Sequence, residues 1–88
     1  MNNFANTTED LGRNNGLQTA LAVLREARQE ATDTHIDHQV KMIDALDAMK
    51  AGDDSYKVAY EYHAARRAYF LHKQEALLDV INEIKEML

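Results

Sequence analysis

The sequence contains no cysteine and no proline. Without cysteine there are no disulfides and no thiol nucleophile, and a reducing compartment fits. Without proline, and with glycine only at positions 12, 16 and 52, the residues that break helices are nearly missing. Serine occurs once, at Ser55, and no Gly-x-Ser-x-Gly is present, so serine nucleophile chemistry has no foothold. There is no glycine-rich phosphate loop. No apolar run approaches the roughly 20 residues of a membrane span. The stretch MNNFANTTED has neither the basic start nor the apolar stretch of a signal peptide, and a cytoplasmic location is expected. No alternating run of β-branched residues reads as a strand.

What is present is a helical chain of 88 residues, a single domain by length. Chains this short bury a small share of their surface and often need oligomerisation to be robust. The net charge of −5 argues against non-specific nucleic-acid binding, and it falls short of the dense carboxylates of a DNA mimic. The charge is uneven. Between Tyr56 and Lys73, Lys57, Arg66, Arg67 and Lys73 face Glu61 alone, a net +3 that leaves −8 for the rest of the chain.

Residues 1–6 read as loose, with a cap at Thr7 or Thr8 starting a short helical turn that Gly12, Asn14, Asn15 and Gly16 interrupt. Residues 1–16 are therefore expected to be a flexible segment with at most a short helix, ahead of one helical domain over 17–88. From Leu17 to Ala51 the pattern is helical. Leu17, Leu21, Leu24 and Ala31 share a face, and so do Ile36, Val40, Ile43, Leu46 and Met49. Thr32-Asp33-Thr34 is the weak point, where a kink or break is the alternative. Lys50 to Ser55 is the strongest turn signal, with Gly52 at the C′ position and Asp54 or Ser55 as the next N-cap. Arms of about 17–51 and 55–88 would each run about 50 Å at 1.5 Å per residue. The expected fold is all-α: a long antiparallel helical hairpin, with three helices as the rival if the chain breaks near Asp33.

On a wheel of 100° per residue, the last helix shows an apolar arc of roughly 200°, wider than the roughly 100° that one neighbour needs. Glu61, Ala68, His72, Glu75, Asp79, Glu83 and Glu86 fall on the far side. So broad an arc predicts self-association, most simply a homodimer forming a helical bundle. His63, Arg66, Arg67, Lys73 and Gln74 fall inside the arc. Tyr62, Arg66, Tyr69 and Lys73 form a stripe at spacings of 4, 3 and 4. Unpaired buried cations are costly, so these groups need carboxylates, water or a ligand. Glu26, Glu30, Asp33 and Asp37 are the internal carboxylates within reach of a hairpin. Otherwise the long stems lie over apolar surface and present their charge to water.

His35 and His38 are i, i+3 neighbours, and folding about Gly52 brings them level with Arg67 and Phe70, with His63 about one turn away. Nearby arginines would repel a cation, and no Glu-x-x-His or His-Glu-x-x-His occurs, so no metal ligands are assigned. The acid pairs Glu30/Asp33, Asp44/Asp47 and Glu83/Glu86 resemble Mg²⁺-holding carboxylates only in spacing and read as solvated faces. No catalytic residue and no cofactor is assigned. The expected function is a non-catalytic interaction protein of adaptor or inhibitor type. It would oligomerise and dock on a macromolecule, most simply a protein, through Tyr62, His63, Arg66, Arg67, Tyr69 and Lys73. The alternatives are a binder of an anionic small ligand such as a nucleotide and, third, a metal-dependent nucleotide phosphohydrolase.

Overall fold

The computed structural model describes residues 4–88, with side chains from Leu11 onward. Helix α1 runs Phe4–Lys50 and helix α2 runs Lys57–Met87, joined by a tight turn with one 3₁₀ segment, Asp54–Tyr56. The two helices pack along each other as an antiparallel hairpin, with no strand among the described residues. The molecule is a rod, 78 × 14 × 13 Å.

The break expected near Asp33 does not occur. Thr32 and Thr34 donate their hydroxyls to the carbonyls of Arg28 and Glu30, each at 2.9 Å. These i−4 bonds satisfy the hydroxyls within the helix rather than at a cap. The interruption expected at Gly12–Gly16 is also missing, and α1 passes straight through it. Residues 1–3, and the side chains of Thr7 and Thr8 expected to cap a turn, lie outside the described set. The backbone is already helical from Phe4.

Gly52 ends α1 as expected. Its φ is +100°, a left-handed conformation that glycine adopts without steric cost. Its N–H donates to the Met49 carbonyl at 2.9 Å, and the Asp53 N–H donates to the Ala48 carbonyl at 3.0 Å, the pairing of a Schellman cap. Neither Asp54 nor Ser55 is the N-cap: Asp53 caps the 3₁₀ segment, and the N-cap position of α2 is Tyr56, which makes no side-chain cap bond. The Asp53 carboxylate accepts from the Ser55 N–H at 3.1 Å and from the Ser55 hydroxyl.

The residues turned inward recur every seven positions. On α1 one line is Leu17, Leu24, Ala31, His38 and Ala45, and the other is Leu21, Arg28, His35, Met42 and Met49. On α2 the lines are Tyr60, Arg67, Gln74 and Ile81, and His63, Phe70, Leu77 and Ile84. This is the repeat of a coiled coil, here folded back on itself. Among the described residues only Leu21, Ala31, Ala45 and Ile81 are buried. Leu11 to Gly16 are exposed, and the start of α1 projects past the end of α2.

The seven-residue seam corrects the face assignments. Leu17, Leu21, Leu24, Ala31, Leu46 and Met49 do turn toward α2, but Ile36, Val40 and Ile43 are exposed. Val40 lies 200° around the helix from His38 and so faces away from α2. On α2, Tyr62, Tyr69 and Val80 are exposed rather than part of one broad buried arc.

Candidate docking face

The seam is apolar at its two ends and polar in its middle. Arg28, His35 and His38 come from α1, and His63, Arg67 and Gln74 from α2. The Arg67 Nε–H donates to the Gln39 Oε1 at 3.2 Å. The two Nδ1 atoms of His38 and His63 stand 2.9 Å apart, so one ring donates a proton and the other accepts it. Protonating both would leave two N–H groups and two like charges face to face. The His38 imidazole is accordingly held below its ordinary pKa, first by burial, then by the neighbouring His63 and Arg66. Some groups find no partner: both nitrogens of His35, Nε of Arg28 and Oε1 of Gln74 are buried without a hydrogen bond.

An aromatic cluster extends from this layer to the surface. His38 stacks on Phe70, with ring centroids 5.9 Å apart and planes within 9°. Tyr62 meets His38 and His63 edge-on, at 6.0 and 5.0 Å. Tyr69 meets Phe70 edge-on at 5.0 Å. The Arg66 guanidinium lies 5.0 Å from the Phe70 ring centre and 5.5 Å from that of Tyr69, and the Lys73 ammonium lies 6.0 Å from Phe70. Such cation–π contacts contribute about 0.5–1 kcal/mol each when exposed.

The six residues singled out in the sequence thus divide in two. His63 and Arg67 belong to the seam, whereas Tyr62, Arg66, Tyr69 and Lys73 form an exposed stripe beside it. None of the cations reaches the internal carboxylates expected as partners. Among the described residues the one ion pair is Lys41–Asp37 at 3.0 Å, within α1 and exposed. That contact holds the Asp37 carboxyl below its ordinary range, chiefly through the Lys41 hydrogen bond. Sequence reasoning missed Gln39 and Arg28 as members of the polar layer. Arg28 stands seven residues after Leu21, on a seam line, and that spacing was the available signal.

Among the described residues no group of three or more acidic or histidine side chains is placed to hold a metal, and no enclosed pocket is found. No described helix is long and apolar enough to cross a membrane. Compared with protein-family models, with curated proteins and with solved structures, the chain matches none.

Proposed function

We propose that this chain is a non-catalytic helical interaction protein that docks on a carboxylate-bearing protein surface through the Tyr62–Lys73 stripe of α2. The supporting observation is that Arg66 and Lys73 are exposed cations with no carboxylate in ion-pair contact, their heads resting on the rings of Phe70 and Tyr69. A guanidinium laid on an aromatic face is pre-positioned, so less entropy is lost when it meets a carboxylate. The flanking tyrosines are 55% and 56% exposed, and tyrosine and arginine are the residues that dominate binding at protein interfaces. A small anionic ligand fits this face less well. Small-molecule sites bury most of the ligand in a concavity, and a two-helix rod 13–14 Å across offers an open surface.

The test is a comparison of the wild-type chain with Arg66→Met/Lys73→Met as bait in an extract of the native host. Methionine keeps the apolar stem and removes the charge. Both proteins are expected to melt alike, and the variant is expected to lose the captured partner. Equal capture by both would refute the reading. Absorbance at 260 nm co-purifying with the wild type, which contains no tryptophan, would favour a nucleotide instead.

A further inference from the structure

The exposed stripe does not stop at Lys73. Continued at the same alternating spacing it reaches Ala76, Val80, Glu83 and Met87 near the end of α2. Tyr62, Tyr69, Val80 and Met87 are between 41% and 56% exposed, so the line is an unpartnered second seam. Glu83, which a 100° wheel groups with the outer acids, lies on it.

Reversed end to end, this stripe matches itself. With a two-fold axis midway between Lys73 and Ala76, Tyr62 comes opposite Met87 of the second copy, Tyr69 opposite Val80, and Arg66 opposite Glu83. Every large apolar residue meets another, and the unpaired guanidinium meets a carboxylate. The charge of the whole helix follows the same symmetry. Lys57 to Lys73 carries a net +3, from four cations and Glu61. Gln74 to Leu88 carries −3, from Glu75, Asp79, Glu83 and Glu86 against Lys85. Antiparallel overlap places each half on its opposite, twice over, whereas parallel overlap would place like on like.

We infer that the partner of this face is a second copy of the chain, packed with its α2 antiparallel to the first about a two-fold axis near residues 73–76. This rests on the reading of the stripe as a carboxylate-seeking docking face and names what supplies the carboxylate. The interface is isologous, so each contact occurs twice and no open edge remains to propagate. The chain exposes 6411 Å², against about 5,200 Å² for a compact monomer of its mass. That surplus of about 1,200 Å² is the surface of a rod that leaves faces of both helices uncovered. The exposed apolar residues of α1 do not offer an equivalent seam. Centring Val40 on itself brings Asp33 opposite Asp47 of the second copy, a like-charge contact, and sets Ile36 opposite Asp44, whereas pairing Ile36 with Ile43 leaves Val40 opposite Gln39.

Charge reversal tests this on the full chain, by sedimentation equilibrium and light scattering at low salt. The wild type should run at twice its 10.0 kDa mass at micromolar concentration. Arg66→Glu alone and Glu83→Arg alone should each weaken the dimer by about tenfold or more, because each places two like-charge contacts in the interface. The double variant Arg66→Glu/Glu83→Arg should recover the dimer. Neither position lies in the α1–α2 seam, so circular dichroism should report full helicity for all four proteins. A monomeric wild type overturns the inference. So do single variants that remain as dimeric as the wild type, and a double variant that fails to recover. The docking reading is judged separately: a monomeric wild type that still captures a partner through Arg66 keeps that reading and removes only the second copy.

Discussion

Gln74 occupies the central inward line of α2, seven residues before Ile81 and seven after Arg67. Its amide oxygen is out of water and without a hydrogen-bond partner. A buried acceptor left in that state costs about 1–3 kcal/mol. Gln74→Leu removes the acceptor, keeps most of the volume, and extends the apolar run that holds Leu77 and Ile81. The hairpin should therefore gain about 1–3 kcal/mol. For a domain of this size each kcal/mol moves the melting temperature by about 4–8 °C, so a rise of at least about 4 °C is expected in circular dichroism melts at 222 nm. The reciprocal change along the same line, Ile81→Gln, buries an amide at a site only 3% exposed. It should cost about 2–4 kcal/mol through lost apolar burial and an unmet polar group. That is a large share of the stability of so small a core. The expected cost of Gln74→Leu is in specificity. Polar residues on a coiled-coil seam fix register and partner number at the expense of stability. A lowered melting temperature for Gln74→Leu would refute the reasoning, because it would mean that the amide is fully satisfied in solution.

Acidification should loosen the hairpin. The folded pKa of His38 lies below its ordinary 6.5, so the unfolded chain binds its proton more readily. The stabilisation is complete above about pH 6.5 and is lost as pH falls through the lower folded value. Thermal melts between pH 8 and pH 5 should show a falling midpoint, with the dependence reduced in His38→Phe, and a midpoint that rises toward pH 5 would contradict the histidine geometry. The glycines give opposite signs. Gly16→Ala lies in a helix with nothing within 4 Å of an added Cβ, so it should raise stability by up to about 1 kcal/mol. A loss would show that α1 does not run through Gly16. Gly52→Ala forces a side chain into a left-handed backbone and should lower stability by about 1 kcal/mol or more in a denaturant titration. Arg67→Met replaces a cation held only by the Gln39 amide, and a calorimetric midpoint equal to or above that of the wild type is expected, since the stem is kept and desolvation is relieved.

Much of the fold was legible without coordinates. The absence of proline and the scarcity of glycine imposed helix, and Gly52 with its aspartates imposed one sharp reversal, because these are local effects of backbone sterics and hydrogen bonding. Two long arms around one tight turn can only lie antiparallel. The proximity of His38 to Phe70 followed from counting back from that turn. The threonine pair at 32 and 34 misled because cap preference is a competition, and in place their hydroxyls bond back into the helix they were expected to break.

Which apolar residues would be buried was decided by tertiary structure. An ideal helix drifts about 20° per heptad against a seven-residue repeat, so over about four heptads the drift reaches about 80°. A 100° wheel smears two narrow stripes of α2 into one arc of roughly 200° and places Arg66 and Lys73 inside it. Wrapping α1 and α2 on each other holds the seven-residue line in the seam and separates the stripes. Arg67, His63 and Gln74 stay inside. Tyr62, Arg66, Tyr69 and Lys73 are left outside. Composition and turn chemistry determined that this chain is a helical hairpin. Only the packing of one helix against the other decided that its arginines part company, one to the seam and one to the surface.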